Sequence, residues 1–435
     1  MTSDDAGSRL ARPGTDRAIV AVWRIESAKL IARITRMVGD VGLAEDIAQD
    51  TLLIALERWP ETGVPPNPAA WLMTTAKHRA IDSLRRDQRL AAKRDELGRQ
   101  KRVDDDLMAA DPDDDALADD EIGDELLRLV FIACHPVLST EARVALTLKL
   151  LGGLKTGEIA RAFLVSEATV AQRIVRAKRT LTAAKVPFEV PTGPDLAGRL
   201  ASVLKVIYLI FNEGYSATAG DDLMRPALCE DALRLGRIVA QLLPAEPEVH
   251  GLVALLELQA SRTRARVNRS GEPILLLDQD RSRWDLLLIG RGLAALTRAE
   301  SLGGSYRPYA LQAAIAACHA RARTAEATDW VRIAALYDAL SRISPSPVVD
   351  LNRAVAVGRA YGPAAGLEIV DDLREAATLA GYHLLPAARG DFLASLGRHD
   401  EARAEFLRAA EMTNNTRERN LLLGRAAGDD RRSTP

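Results

Sequence analysis

Aromatic side chains make up only 4% of this 435-residue chain: five tryptophans, seven tyrosines and six phenylalanines. With rings scarce and Ala, Leu and Arg abundant, helices filled by small and aliphatic residues are favoured over sheets. Cysteine is scarcer still. Cys134, Cys229 and Cys318 lie far apart, each inside an apolar run, and no CxxC or Cys/His cluster exists. That excludes a disulfide framework and a zinc site, and reads as three buried free thiols. Of the six histidines, His135 sits before Pro136 and reads as a helix-end residue. No apolar run approaches the ~18 residues needed to span a bilayer, and the first residues lack a signal-peptide core. A cytoplasmic protein without a membrane partner is expected. Neither a nucleophile-plus-base pair nor a phosphate-cradling glycine loop is present, so neither an enzyme nor a cofactor is expected.

A net charge of −2 conceals strong segregation. Residues 1–103 carry 18 basic against 14 acidic side chains, and 104–125 carry none against 12. Residues 126–185 carry 10 against 3, and the remaining 250 carry 30 against 31. Any nucleic-acid footprint is therefore confined to the first 185 residues. At this length two to four domains are expected.

The stretch Thr156–Leu181 reads as two short helices joined by a tight turn. Ile159, Ala160 and Phe163 line the first, and Val165, Val170 and Ile174 continue the apolar seam. Ser166 is placed to cap the second helix. That helix presents Gln172, Arg173, Arg176, Lys178 and Arg179, with Thr169 as a short polar neighbour. Such a surface suits a major groove, with cations for phosphates and polar groups for base edges. Upstream, Asp46, Gln49 and Asp50 occupy one side of a helix whose other side, Ile47, Leu52, Ile54 and Leu56, is expected to be core. The next helix carries Trp71 followed by Lys77, His78, Arg79, Arg85 and Arg86. A basic helix beside an aromatic ring and an adaptable loop suits single-stranded or melting DNA.

Taken in order, these features resemble an extracytoplasmic-function-type RNA polymerase sigma factor over roughly residues 16–184. The resemblance implies that Asp46, Gln49 and Asp50 dock on core polymerase. It implies that the Pro60–Pro68 loop and the helix with Trp71, Lys77, His78, Arg79, Arg85 and Arg86 handle the −10 element. Ser166, Thr169, Gln172, Arg173, Arg176, Lys178 and Arg179 would then read the −35 element. Two departures stand out. Lys77-His78 replaces the family's common Arg-Asn, and Leu164 replaces the common turn glycine, at a cost on the order of 1 kcal/mol for a left-handed residue with a side chain.

The fold expected is all-α: two small helical sigma domains joined by an acidic linker, then a larger helical, repeat-like domain. Residues 1–15 read as a disordered N-terminus, 16–88 as sigma domain two, 89–125 as the linker, and 126–185 as sigma domain four. Prolines 187, 191 and 194 mark the start of a C-terminal extension over 186–435. Its end resembles a tetratricopeptide unit at about 386–415, where Gly390, Gly397, Ala402, Phe406 and Ala409 fall at small or aromatic positions. The chain thus resembles the sigma-factor subgroup with such an extension, which implies regulation through an intramolecular or protein contact. Within it, Tyr208, Phe211, Asn212, Glu213 and Tyr215 form a candidate ligand pocket or domain interface, with helix packing the plainer reading. Asp278, Asp280, Arg281, Arg283, Trp284 and Asp285 read as a loop ion-pair network or domain contact. A helix-turn-helix activator or repressor with a ligand-sensing C-terminal domain stays open as the alternative.

Overall fold

The computed structural model describes residues 13–95 and 119–428. Eighteen α-helices dominate these residues. In the N-terminal part they are α1 (Pro13–Val38), α2 (Val41–Thr62), α3 (Pro68–Asp95), α4 (Asp119–Ala133), α5 (Thr140–Leu150), α6 (Thr156–Ala162), α7 (Glu167–Ala183) and α8 (Pro194–Tyr215). A two-residue strand β1 (Ala219–Gly220) precedes α9 (Pro226–Leu242), α10 (Pro247–Ala260), α11 (Leu286–Ser301), α12 (Pro308–Arg321), α13 (Trp330–Ile343), α14 (Pro347–Tyr361) and α15 (Pro363–Asp372). The chain continues with α16 (Leu384–Ser395), α17 (His399–Met412), β2 (Asn414–Asn415) and α18 (Thr416–Ala426). Most of the acidic run 104–125, and all but the last residues of the expected N-terminal tail, lie outside the described residues.

Two compact units result. One comprises the described residues to Arg161 with Val165–Val206, the other Ala162–Leu164 and Ile207 onward. In the first unit α2 begins at Asp40, whose carboxylate accepts from the Leu43 amide at 2.8 Å, and ends at Gly63 with φ 84°. Its buried face is Ala44, Ile47, Ala48, Thr51, Ala55 and Trp59, a 3.6-residue repeat. This corrects the expected core face: Ile47 belongs to it, but Leu52 and Ile54 are half-buried and Leu56 is exposed. The proline-rich loop is also shorter than expected. Pro60 lies in the last turn of α2, and only residues 63–67 separate α2 from α3.

Two buried carboxylates cross-link α1 and α2 to α4, α5 and α7. Glu125 on α4 accepts from Arg33 and Arg36 of α1 at 2.7 and 2.8 Å. Glu45 on α2 is paired with Lys149 of α5 at 3.4 Å and with Lys178 of α7. The acidic run places Glu125 at the end of the expected linker; in the structure it is 1% exposed within α4. A carboxylate is excluded from the interior unless its charge is met, so both glutamates fix partner helices in register. The first half of α8 is tied to the same unit, with Arg199 donating to the Phe131 carbonyl at 3.0 Å and Ser202 to that of Cys134 at 2.6 Å.

In the second unit five helices, α9, α10, α12, α14 and α15, begin on a proline, where the missing N–H costs no hydrogen bond. Rings against glycines close the later helices. A Cβ on Gly390 would meet the Phe406 ring at 2.7 Å, and one on Gly358 or Gly366 would meet Phe392 at 2.3 or 2.5 Å. Phe406 and Phe392 therefore occupy space that only glycine leaves open. Finally, β1 and β2 pair in parallel, Ala219 with Asn414 and Gly220 with Asn415. Asn415 is fully buried. Its amide donates to the carbonyls of Ala217 and Asp222 at 3.0 and 2.9 Å, while its oxygen caps α18 through the amides of Arg417 and Glu418.

Candidate nucleic-acid interface

The helix-turn-helix is built as its residues require. Ile159 and Ala160 of α6 and Val170, Ile174, Ala177 and Leu181 of α7 are buried, so α7 offers its opposite side outward. Ser166 caps α7, accepting from the Thr169 amide at 3.1 Å. Leu164 turns the chain with φ 51°, the left-handed conformation in which glycine carries no Cβ penalty. On the outer side Thr169, Gln172, Arg173 and Arg176 follow the i, i+3, i+4, i+7 spacing of one face. Gln172, Arg176 and Arg179 are exposed and Arg173 is half-buried. Arg173 lies near Glu141, whose carboxyl is held below its usual range by its own backbone N–H, then Ser139, with Arg173 adding. Lys178 is placed differently. It faces α2, paired with Glu45 and 3.4 Å from Asp46, and Thr182 donates to Asp40 at 2.8 Å. Asp40, Gly42, Asp46, Lys178, Arg179 and Thr182 line a groove there.

On α2, Asp46, Asp50, Leu53 and Glu57 are all exposed and fall on one face at i, i+4, i+7 and i+11. Gln49 is half-buried and donates to Glu45. Leu53 is 57% and Leu56 39% exposed, an apolar element that the assignment of Leu56 to the core had hidden. Arg79 of α3 reaches Asp50 at 3.1 Å, which brings the basic helix beside this face. His78, Arg79, Arg85 and Arg86 are exposed, whereas Lys77 and Trp71 are half-buried. The Trp71 ring meets the buried Trp59 edge-on at 5.3 Å, a geometry favoured by the ring quadrupoles, leaving part of Trp71 accessible above α2.

The C-terminal cluster is partly taken up by packing. Phe211 is buried and stacked with Tyr215 at 5.5 Å, and Tyr208 donates to Gln312 at 3.4 Å. Glu213 is paired with Arg225 and accepts from Thr218, and the Asn212 carbonyl accepts from the Ser216 amide at 2.8 Å. The three cysteines are buried and free; burial pushes the Cys134 thiol up to about 11. Among the described residues no group of three or more His, Cys, Asp or Glu side chains is placed to hold a metal ion. No described helix is long and apolar enough to cross a membrane.

Comparison with known proteins gives three family matches along the chain. Residues 25–90 match sigma-70 region 2, residues 128–181 match sigma-70 region 4, and residues 199–300 match a family of unknown function, DUF6596. The chain is 29% identical over 186 residues to the ECF RNA polymerase sigma factor SigK of Mycobacterium bovis BCG, covering 41% of this chain and 92% of that one. It is 27% identical over 161 residues to the SigK of Mycolicibacterium vanbaalenii, covering 36% of this chain and 76% of that one. Over 393 residues it is 45% identical to an uncharacterized protein of Rhizobium meliloti, covering 88% of this chain and 89% of that one. No solved structure matches. The chain belongs to the family of that Rhizobium protein, and it carries the two regions of an ECF-type sigma factor ahead of a larger helical domain.

Proposed function

We propose that this protein binds core RNA polymerase, directs it to promoters bearing −35 and −10 elements, and is regulated by the helical domain that follows residue 206. The observation that carries the reading is the pairing of two surfaces in one chain. A capped helix-turn-helix presents Thr169, Gln172, Arg173 and Arg176. A separate face joins acidic and apolar positions of α2 to the cations of α3. In this reading Asp46, Asp50 and Leu53 dock on the polymerase, and Gln49 supports them through Glu45. Trp71 stacks or pockets a −10 base while Lys77, His78, Arg79, Arg85 and Arg86 hold the strand. A repressor needs only the first surface.

The same reading makes the contact between α2 and α7 a resting arrangement. Elements about 25 base pairs apart lie about 85 Å apart along the duplex, at about 3.4 Å per base pair. Helices joined through Glu45 and Lys178 cannot serve both elements at once, so promoter engagement separates them. In vitro transcription with core polymerase tests the proposal. Promoter-specific initiation that depends on this protein is the expected result. Tight duplex binding without polymerase, and no initiation, would return the chain to the class of helix-turn-helix regulators.

A further inference from the structure

In the second unit, three arginines and two aromatic rings form a row that no carboxylate neutralises. The Arg266 guanidinium lies 3.7 Å from the centroid of the Tyr215 ring. Arg262 lies 5.8 Å from the centroids of both Tyr215 and Trp284, and Arg281 lies 4.8 Å from that of Trp284. Such stacking holds a guanidinium in place through its plane while its edge N–H groups keep their capacity to donate. The hydrogen bonds made by these arginines go to neutral acceptors: Arg281 to the carbonyls of His319 and Ala322 and to Thr328, Arg266 to the Tyr215 carbonyl, and Arg262 to Gln259. No carboxylate stands within ion-pair distance of any of the three among the described residues; Glu418 and Glu326 act only from further off, on Arg266 and Arg281.

Three buried polar groups in the row also lack a partner. Trp284 is 5% exposed, and its Nε1–H finds no acceptor. The Nε–H of Arg281 and Nδ1 of His319 are likewise unsatisfied. Burial, with Arg262 and Arg281 adding, drives the His319 pKa down to about 4, so its ring is neutral and can donate one hydrogen bond. Unmet buried donors cost about 1–3 kcal/mol each, and uncompensated like charges add to that cost. Both are relieved by one kind of ligand, an acceptor carrying negative charge.

We infer that Arg262, Arg266 and Trp284 form a binding site for the oxyanion group, phosphate or carboxylate, of a small ligand, with Arg281 and His319 as supporting donors. All of these residues belong to the second unit, and the inference does not depend on the sigma-factor reading.

The test is saturable stabilisation and calorimetric binding of the full chain by inorganic phosphate and by succinate, each at fixed ionic strength with chloride as reference. Saturation by phosphate alone assigns a phosphate-bearing ligand, and saturation by succinate alone a carboxylate. Trp284→Phe keeps an aromatic face for the arginines but removes the indole N–H together with the five-membered ring, and should weaken the effective probe about tenfold; Arg266→Gln, which leaves Trp284 intact, should weaken it at least as much. If neither probe stabilises the unsubstituted protein more than chloride does, the site is overturned, whatever the variants do. Equal binding by unsubstituted protein and both folded variants, showing an adventitious ion only, overturns it as well.

Discussion

Lys178 on α7 is the counter-ion of Glu45 on α2, and both side chains are enclosed, at 17% and 3% exposure. The face of α7 that follows Arg173 and Arg176 around the helix is thereby turned from solvent toward another helix. Removing one member of a buried pair leaves the other charge unmet and costs about 3–5 kcal/mol. Lys149 remains beside Glu45 at 3.4 Å. Lys178→Ala is therefore expected to cost about 2–3 kcal/mol in urea unfolding of the first unit. An unchanged midpoint would mean that the pair contributes nothing to the α2–α7 contact.

Arg173→Ala should weaken −35 recognition by about 1–3 kcal/mol, the range of one good base contact. Transcription from promoters varied at single −35 positions measures it. The variant should lose discrimination at one position and keep its response to the −10 sequence. Unchanged output and promoter choice would move the groove assignment off this face.

Phe406 fills the space beside Gly390. Phe406→Ala should destabilise the second unit by about 3–5 kcal/mol. Gly390→Leu should cost a comparable amount through overlap, since its Cβ alone meets the ring at 2.7 Å. Denaturant midpoints of both variants test the pair; an undisturbed Gly390→Leu protein would show that α16 and α17 can separate freely.

Asn415→Ala removes the donors to the buried Ala217 carbonyl and to the Asp222 carbonyl, and the cap of α18. A lost cap costs about 0.5–2 kcal/mol and an unmet buried carbonyl about 1–3. A loss of about 2–4 kcal/mol is expected in chemical denaturation. Asn415→Asp keeps the capping oxygen but sets a buried carboxylate oxygen against those same two carbonyls, so it should be no more stable than Asn415→Ala; a clearly more stable Asp variant would contradict the role given to the side-chain nitrogen.

His319 gives the second unit an acid-sensitive term. Burial, reinforced by Arg262 and Arg281, holds its folded pKa at about 4, while an unfolded histidine takes its proton near 6.5. The neutral ring's contribution is fully present above the unfolded value and shrinks as pH falls toward the folded one. At pH 5 the unit should be about 2 kcal/mol less stable than at pH 7.5 from this group alone. His319→Gln should lack that share of the pH dependence, as denaturant titrations at the two pH values would reveal.

The helical class and both regions were legible because periodicity and charge act locally. Ser166, Val170 and Ile174 announce α7 through spacing alone. What stayed hidden depends on partners far away in sequence. The core face of α2 was misplaced because Leu52, Ile54 and Leu56 outweigh Ala44, Ala48 and Ala55 in apolarity, yet helices approach closely over alanine. Glu125 looked like one more acidic linker residue, since nothing nearby says that Arg33 and Arg36 will receive it. A break after residue 185 followed from prolines, but α8 carries on and anchors its first half through Arg199 and Ser202. The recurrence of a ring over glycine was visible at Phe406, and not at Phe392, whose glycines lie 26 and 34 residues upstream.

The clasp between Ala219–Gly220 and Asn414–Asn415 changes what kind of object the second unit is. A stack of helix pairs ordinarily has two independent ends, and can be shortened from either one at a cost confined to the neighbour left bare. Here the last helix and the segment after α8 share one hydrogen-bonded knot, so these two segments, far apart in sequence, are tied to each other. Trimming the final twenty described residues would therefore be felt first some two hundred residues away, at Ala217 and Asp222, and through them at the neighbouring Tyr215.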